Sequence, residues 1–429
     1  MKVVHCSAWY VTESFGGTEI YVAALAKELK KSGVDQVILV PRSRSDLPAE
    51  TEHEGMKVMR YDAAGFGDVV AHFGPDLFHL HSWTSGAGIR ELRAARKRGL
   101  PAVFTFHNFS PVCATDTLMR HGSRPCDGII REFTCSSCYL HNRGYSRPEA
   151  ALLASAAALL SLFFRVPDSS RRWKTLASMF ADFSRRRGEL AELAREAAAL
   201  VAPAEFLREV LIRNRVPAEK IVVSRQGVTG GVPPIPAREP GPGLRVGFVG
   251  RLEYLKGADI IAEAVHRIPR SKPVTLELIG PEGGVPGTRR DPSVFLEKIR
   301  SMAAMDDRIR VRGALPFDEA QRRMASFDLL AVPSRTRETG PMAAMEAIAL
   351  GVPVLGSNLG GIPETVKDGV NGRIIDSTDP ADWSRALEEL LEDRSPLEAW
   401  RLQCRPGRTM ADVAGEMLAL YRRCLASSQ

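Results

Sequence analysis

Short apolar runs alternate with longer amphipathic segments along most of the 429-residue chain. An apolar run of four to eight residues bounded by turn residues indicates a buried strand, and a 3.6-residue period indicates a helix, as over 20–31. The strands predicted in this way are 3–5, 36–40, 77–79, 102–105, 199–202 and 221–224, followed by 245–249, 275–279, 309–312, 329–331 and 352–355. Strands that alternate with helices predict parallel sheets covered by helices.

One segment, 228–243, breaks this alternation with five prolines and four glycines. Such a composition excludes a helix or a central strand, so the segment is predicted to be a linker between domains. The expected organisation is an N-terminal domain at 1–227, the linker at 228–243, a C-terminal domain at 244–405 and a terminal helix within 406–429. Two doubly wound α/β domains would place their ligand site in the cleft beyond the carboxyl ends of the strands.

The composition is that of a soluble globular protein, with 44% hydrophobic and 25% charged residues. The first residues lack a basic stretch followed by an apolar run, and the longest apolar run, 150–164, is too short to span a membrane. A cytoplasmic location is therefore expected. Seven cysteines in a long chain without a secretory signal do not indicate a disulfide framework.

Positive charge is concentrated in the segment 165–187, which holds seven basic and two acidic residues in a chain of net charge +7. Trp173, Phe180 and Phe183 lie there at nearly helical spacing. A basic, aromatic helix can lie on an anionic membrane, which would place the protein peripherally at the inner face. The alternative is an aromatic stripe packed into the core beneath solvated arginines. Nucleic acid is not an expected partner, since no recognition motif accompanies the charge.

Two carboxylates, Glu338 and Glu346, are separated by seven residues at a predicted helix start. Pro341 suits a first helical position, and Gly351 suits a terminator. At a rise of about 1.5 Å per residue the carboxylates would lie on the order of 10 Å apart. Free backbone N–H groups between them favour an anion. A nucleotide-sugar, with hydroxyl groups on both sides of its phosphates, fits this arrangement. The alternative is two solvated glutamates on a surface helix.

The surrounding residues 334–372 contain the glutamate pair, then Gly360, Gly361, Pro363 and Glu364. This block resembles the signature of the retaining GT-B glycosyltransferases of family GT4. The resemblance implies two Rossmann-like domains facing across a cleft and transfer of a sugar from a nucleoside-diphosphate sugar to an acceptor hydroxyl. It implies retention of anomeric configuration, and a terminal helix that often crosses back to the N-terminal domain. It also implies that Glu338 contacts the donor sugar, that Glu346 accepts from the ribose, and that backbone amides near the helix start hold the diphosphate.

Further segments match the same family. Arg251 and Lys256 follow a strand beside glycines and resemble the Gly-Arg-Leu…Lys-Gly segment that binds the donor diphosphate. Gly16 and Gly17, after the first strand, resemble the glycine-rich loop near the donor; we expect φ > 0 or close approach of the backbone to the ligand. The predicted donor-binding residues are Gly16, Gly17, Arg251, Lys256, Leu315, Glu338, Thr339, Gly340, Pro341, Met342 and Glu346.

His107 follows a predicted buried strand and matches the family's histidine beside the donor sugar. The family often has an aspartate next, whereas this chain has Asn108, so we assign His107 to substrate positioning. A lone histidine here would otherwise be a core residue with satisfied hydrogen bonds. Leu315, with Arg312 and Gly313 after another strand, belongs by resemblance to loops that cradle the nucleotide base. The predicted catalytic group is Glu338, His107, Arg251 and Lys256.

No Asp-x-Asp triplet occurs in the chain, and two cations with a helix dipole can meet the leaving-group charge, so metal-independent transfer without a catalytic cofactor is predicted. A separate cluster, Cys113, Cys126, Cys135 and Cys138, has the spacing C-x12-C-x8-C-x2-C. Four such thiols are candidate ligands of a structural zinc ion. An iron–sulfur cluster and four free thiols are the alternatives.

Three other functions are alternatives to the transferase: a nucleotide-sugar epimerase, a non-catalytic binding protein and a membrane adaptor. A nucleotide-sugar epimerase would use the same cleft without an acceptor, and a non-catalytic binding protein would be expected to lack Arg251, Lys256 or a glutamate of the pair. A membrane adaptor built on 165–187 would leave the C-terminal half unexplained. The transferase is therefore preferred, acting on a saccharide or lipid-linked acceptor in polysaccharide or glycolipid assembly.

Overall fold

The computed structural model describes residues 1–14, 16–42, 46–62, 64–84, 86–163, 177–229, 241, 243–283, 292–405 and 407–427. Most of the predicted linker, at 230–240 and 242, and the basic segment as far as residue 176 lie outside these residues. In the part of the chain that is described, no helix combines the length and the apolar character needed to cross a bilayer.

The N-terminal half is built on one main sheet, whose strands alternate with helices along the chain, and it also contains a separate two-stranded hairpin. Its strands are β1 (Lys2–Cys6), β2 (Asp35–Pro41), β3 (Glu50–His53), β4 (Met56–Tyr61), β5 (Leu77–Leu80), β6 (Ala102–Thr105), the hairpin strands β7 (Met119–Arg120) and β8 (Arg124–Pro125), β9 (Ala199–Ala202) and β10 (Ile221–Val223). Its helices are α1 (Gly17–Lys31), α2 (Phe66–Phe73), α3 (Ile89–Arg96), α4 (Glu132–Asn142), α5 (Arg147–Phe163), α6 (Ala177–Glu196) and α7 (Glu205–Arg213). The sheet has the order β10-β9-β6-β5-β1-β2-β4-β3, with only β3 antiparallel to its neighbour.

The C-terminal half repeats this architecture with a fully parallel sheet. Its strands are β11 (Leu244–Val249), β12 (Val274–Ile279), β13 (Ile309–Gly313), β14 (Leu329–Val332), β15 (Val354–Ser357) and β16 (Gly372–Ile375). Its helices are α8 (Ala258–Arg267), α9 (Pro292–Met305), α10 (Phe317–Ala325), α11 (Met342–Ala349), α12 (Ile362–Thr365), α13 (Pro380–Glu392), α14 (Ser395–Gln403) and α15 (Met410–Ala426). The strand order is β13-β12-β11-β14-β15-β16. Two doubly wound sheets, as predicted, place two sets of strand carboxyl ends at loops that can face each other.

The last helix, α15, belongs in space to the N-terminal half. Its Met417 and Tyr421 are fully buried in one cluster with Leu25 and Leu29 of α1. Thr409 accepts a hydrogen bond from the Asp412 N–H and so caps the helix. Because the chain crosses back here, it passes between the two halves twice, once after Val228 and once before α15. Val228 and Thr409, at these two crossings, form a parallel β-bridge, and α15 packs on the N-terminal half.

Five strands were missed from the sequence: β3, β4, the two hairpin strands β7 and β8, and β16. β3 is an edge strand of half-exposed, polar residues, and such a pattern resembles a loop. Most predicted strands differ from the observed ones by one residue at one or both ends, and two other predicted boundaries were also wrong. The strand placed at 352–355 is Val354–Ser357, and Pro341 is the residue before α11 rather than its first helical residue.

Candidate functional site

The loops that follow β6 and β14 bring the two halves into direct contact. The Thr339 hydroxyl donates to the His107 carbonyl at 2.9 Å, and the Thr336 hydroxyl donates to the Thr117 carbonyl at 2.9 Å. Both strands end at this side of their sheets, so the segment that carries Glu338 lies against the N-terminal loop that carries His107.

A second contact is made by Glu364 at the start of α7. Its carboxylate accepts hydrogen bonds from the Glu205 and Phe206 backbone N–H groups, both at 2.9 Å, and pairs with Arg225 at 3.1 Å. A carboxylate at a helix N-terminus satisfies free N–H groups and complements the helix dipole. Glu364 therefore fastens the two halves beside the cleft, a role that the sequence analysis did not assign.

Glu338 and Lys256, predicted to contact different parts of the donor, are paired with each other. The Lys256 ammonium donates to both carboxylate oxygens, at 2.7 and 2.8 Å, and the Ser334 hydroxyl donates to one of them at 2.7 Å. The Glu338 side chain is 11% exposed and that of Lys256 is 30% exposed. Each charge is thus compensated before any ligand binds, while the carboxylate keeps lone pairs for further donors.

The position of Lys256 depends on the glycine that follows it. Gly257 has φ of +72° and precedes α8, and a Cβ atom there would lie 2.0 Å from the Pro333 carbonyl oxygen. Only glycine fits both the left-handed backbone and this close approach. The Lys-Gly pair therefore holds the ammonium group beside the segment after β14.

Arg251 is the more exposed of the two predicted phosphate-binding cations. Its side chain is 58% exposed and pairs with Glu253 at 3.0 Å. Its charge also reaches the buried Glu19 of α1, where it opposes the rise in pKa that burial causes. This electrostatic effect links Arg251, which follows β11, to a carboxylate of the other half. Glu19 was not predicted from the sequence, although its place two residues after the glycine pair was a usable signal.

Gly16 and Gly17 lie at the N-terminus of α1 and approach other groups closely. Gly16 has φ of −132°, so the positive φ that we expected is not the reason for glycine there. A Cβ atom at Gly16 would lie 2.5 Å from a Glu19 carboxylate oxygen. A Cβ atom at Gly17 would lie 3.8 Å from the Met342 sulfur, which belongs to the opposite half. The missing side chains allow the loop to come close to α11.

Glu346, on α11, occupies a less polar environment than Glu338. Burial raises the pKa of its carboxyl group to about 7. Before it, Met342 N–H donates to the Gly340 carbonyl, and a Cβ atom at Gly340 would lie 2.2 Å from the Gln226 amide oxygen. The segment of Thr339, Gly340 and Pro341 is therefore packed between the halves, with Glu346 one turn further along the helix.

We expect Glu346→Gln to stabilise the unliganded protein at pH 8 by about 2 kcal/mol and by less at pH 5. The unfolded carboxyl group loses its proton near its ordinary pKa, whereas the folded one keeps it to about 7, so the cost of burying the charge grows as pH rises between these values. Chemical denaturation at both pH values measures this, with the exposed Glu398→Gln as control. An equal shift at both pH values would contradict a raised pKa.

His107 is partly buried and neutral, since desolvation of its ring lowers its pKa to about 3. Its Nε2 atom lies 3.1 Å from His81 Nδ1, and the Tyr21 ring packs against it edge-on at 4.7 Å. Its Nδ1 atom has no partner within the described part of the chain. The neighbouring Asn108 accepts from Ser110 and so serves the local turn.

Leu315 lies in the loop after β13, partly buried against the core of the C-terminal half. Arg312, near the end of β13, pairs with Glu277 at 3.1 Å. These positions leave the loop backbone rather than these side chains for contact with a base. The contacts found in the cleft are therefore the ion pair of Lys256 with Glu338 and the close approach of the Gly17 backbone to Met342.

The four cysteines lie apart from this cleft, around one cavity of about 230 Å³. Among the described residues no three of their sulfur atoms lie within 4.8 Å of one another, so the thiols are gathered but are not in contact as a set.

Comparison with known proteins adds two family models and many relatives. The model described as Glycosyltransferase Family 4 matches residues 15–229, and the model described as Glycosyl transferases group 1 matches residues 243–393. A D-inositol 3-phosphate glycosyltransferase of Salinispora arenicola is 25% identical, over 96% of this chain and 89% of that protein.

Solved structures share the fold at low sequence identity. Sucrose-phosphate synthase from Thermosynechococcus elongatus superimposes with a TM-score of 0.67 at 16% identity, over 99% of both chains. Anabaena HepE in complex with UDP and glucose superimposes with a TM-score of 0.65 at 16% identity, over 98% of this chain and 99% of that one.

Proposed function

Because the chain belongs to glycosyltransferase family 4 and has the GT-B fold, we propose that it transfers a sugar from a nucleoside-diphosphate sugar to a hydroxyl of a saccharide or lipid-linked acceptor, with retention of configuration. The observation that carries the proposal is the buried pair of Lys256 and Glu338 at the contact between the two halves. It supplies a cation for the diphosphate and an acceptor for sugar hydroxyls at one place.

The donor would be held from both sides of this pair. Lys256 has a third N–H for a phosphate oxygen, and Arg251 offers a planar fork across the cleft. The N-terminus of α11 faces the same space, and Glu346 would accept from the ribose hydroxyls. As the bond to the diphosphate breaks, the two cations and the helix dipole stabilise the charge that develops on it.

Retention would follow from attack of the acceptor hydroxyl on the face from which the diphosphate departs. Glu338 is already engaged by Lys256 and Ser334, which makes it a positioning group rather than a free nucleophile. The charge on the leaving group is met by protein cations, so the proposed transfer needs neither a divalent metal nor another cofactor.

A thermal-shift and calorimetric screen against UDP, GDP, ADP and TDP and their sugars tests the donor assignment, with UDP first because Anabaena HepE binds it. At a hundredfold excess over the dissociation constant a ligand stabilises the native state by about 2.7 kcal/mol. We expect one diphosphate to stabilise the protein equally with and without EDTA. Folded protein that responds to none of them would contradict the proposal.

Product analysis separates the transferase from an epimerase. An epimerase would convert the donor to an altered nucleotide-sugar without an acceptor, whereas the proposed enzyme releases the nucleoside diphosphate in step with acceptor glycosylation. Family membership and relatives named as glycosyltransferases favour transfer.

We also propose peripheral contact with an anionic membrane for polysaccharide or glycolipid assembly at the inner face. Leu152 and Leu159 of α5 are 71% and 61% exposed and lie seven residues apart, on one face of the helix. Arg185 and Arg187 of α6 have exposed side chains, whereas Phe183 is buried against Leu140 and so belongs to the core.

Liposome flotation tests this contact. We expect binding to anionic vesicles, weaker binding to neutral ones, and loss of binding in Leu152→Glu/Leu159→Glu, because apolar area and charge attraction both contribute. Leu402→Glu, an equally exposed leucine of α14, is the matched control. Failure of the unmodified protein to float with either lipid would contradict the proposal.

A further inference from the structure

The four cysteines converge although they come from separate parts of the chain. Cys113 follows β6, Cys126 follows β8, and Cys135 and Cys138 lie three residues apart on one face of α4. All four line the 230 Å³ cavity, together with apolar residues such as Val112 and Phe183.

Backbone N–H groups point at three of the sulfur atoms. Gly128 N–H donates to Cys126 Sγ at 3.4 Å, Arg131 N–H to Cys135 Sγ at 3.4 Å, and His121 N–H to Cys138 Sγ at 3.2 Å. A neutral thiol is a weak acceptor, whereas a metal-bound thiolate is a strong one that such donors stabilise.

From this convergence we propose that Cys113, Cys126, Cys135 and Cys138 bind a metal centre through four thiolates. A zinc ion at about 2.3 Å from each sulfur would need the sulfurs about 3.8 Å apart, so the loop would close around it. An iron–sulfur cluster spreads its thiolates more widely and needs less movement. Either group would hold the segment between β6 and α4 in place, in which the described regular structure consists of the two-residue strands β7 and β8. The Thr117 carbonyl of this segment accepts a hydrogen bond from Thr336, two residues before Glu338.

Metal and acid-labile sulfide analysis of protein purified without chelator tests the site. We expect about one equivalent of zinc, or iron with sulfide, and loss of that metal in Cys135→Ser/Cys138→Ser. Cys424→Ala, a cysteine buried in α15, should keep the full content. Less than about a tenth of an equivalent in the unmodified protein, or unchanged content in the double variant, would overturn the proposal.

An independent observation concerns a row of buried histidines that ends at His107. His5 Nε2 lies 3.0 Å from the Gln36 amide oxygen, His5 Nδ1 lies 2.9 Å from His81 Nε2, and His81 Nδ1 lies 3.1 Å from His107 Nε2. Burial lowers the pKa of each of these histidines, so all three are neutral near pH 7 and carry one ring proton each.

Gln36 determines where those protons lie. Its amide nitrogen donates to the Ala26 carbonyl at 3.0 Å, which leaves the amide oxygen facing His5. His5 must therefore carry its proton on Nε2 and accept on Nδ1. His81 in turn donates from Nε2 and accepts on Nδ1, and His107 donates from Nε2, so His107 Nδ1 carries a lone pair.

A second grouping of buried histidines, in which His79 joins His5 and His81, does not form a metal site. Nitrogen atoms of His5, His79 and His81 lie within 4.8 Å of one another. However, the two ring nitrogens of His79 are hydrogen-bonded to the Tyr421 hydroxyl at 2.6 Å and to the Thr105 hydroxyl at 2.8 Å. Both ring nitrogens of His5 and of His81 are hydrogen-bonded within the row. Hydrogen bonding accounts for all six nitrogens, so none is free to bind an ion.

We propose that Gln36, His5 and His81 are positioning residues that hold His107 Nδ1 as a hydrogen-bond acceptor for a hydroxyl of the donor sugar. This inference rests on the proposed function, which supplies the sugar. Without the row, His107 could present either an N–H or a lone pair at Nδ1, and the form with the N–H could not accept a hydrogen bond from the hydroxyl.

Long-range ¹⁵N–¹H NMR of histidine-labelled protein reads the tautomer without any ligand. We expect an unprotonated His107 Nδ1 in the native protein, and a changed or mixed tautomer in His81→Phe and in Gln36→Met, which lies farther from the cleft. His72→Phe, an exposed histidine of α2, should change nothing. An Nδ1–H signal from His107 in the native protein, or a His107 tautomer in both row variants that is unchanged from the native one, would overturn the assignment.

Binding measurements separate this proposal from the function on which it rests. We expect the two row variants to bind the nucleoside diphosphate normally and its sugar about tenfold more weakly, the worth of one hydrogen bond. Failure of the native protein to bind any diphosphate would refute the function instead. Variants that bind the diphosphate and its sugar with native affinities would refute the role of the row.

Discussion

Replacing both Arg251 and Lys256 by alanine is expected to lower kcat/KM by about 10⁴-fold. Each cation is assigned to the diphosphate, and removing one group that stabilises developing charge typically costs about 10²–10³-fold in rate. Steady-state turnover of the donor identified in the nucleotide screen measures the loss. Full activity in the double variant would contradict the assigned phosphate site.

Two comparisons keep that result interpretable. Removing Lys256 leaves the 11%-exposed Glu338 without its cation and will lower stability, so melting temperature must be recorded beside activity. Arg251→Ala alone removes a 58%-exposed side chain and should fold normally, with a loss of about a hundredfold. Arg270→Ala/Lys272→Ala removes a similar pair of charges from surface ion pairs and should leave turnover unchanged.

Changing Glu338 to glutamine is expected to separate nucleotide binding from turnover. The amide can still accept from Ser334, but the charge that holds Lys256 is lost, so the ammonium group becomes free for the diphosphate. We expect the diphosphate to bind as tightly as before or more tightly, while kcat falls about a hundredfold because the sugar loses a charged acceptor.

Isothermal titration with the diphosphate and turnover of its sugar together test this separation. Glu392→Gln, which removes one of the two carboxylates that pair with the surface residue Lys272, is the control and should alter neither quantity. Weaker diphosphate binding with unchanged kcat would reverse the assigned roles and place Glu338, rather than Lys256, at the phosphates.

Local patterns were enough for most of the fold. Buried strands such as Ala102–Thr105 and Ala199–Ala202 were predicted with their observed bounds, because a short apolar run between turn residues has few other uses. The polar edge strand Glu50–His53 was missed, since its pairing with β4 depends on a neighbour and not on its own residues. Pairing between distant strands is invisible to any window along the chain.

For the site, the sequence by itself determined which chemical groups are present: two cations after β11, two carboxylates around the start of α11, and four cysteines within residues 113–138. The positions of the cations and carboxylates along the chain were sufficient to predict them as site residues, because the cations follow a strand and the carboxylates lie around a helix start. Only the tertiary structure decided that Lys256 neutralises Glu338, that Glu364 caps α7 in the other half, and that Thr339 meets His107. The partners in these three contacts are 82, 159 and 232 residues apart in the chain. Charges and hydrogen bonds act over a few ångströms through space, so only the folded arrangement of the two sheets specifies which groups meet.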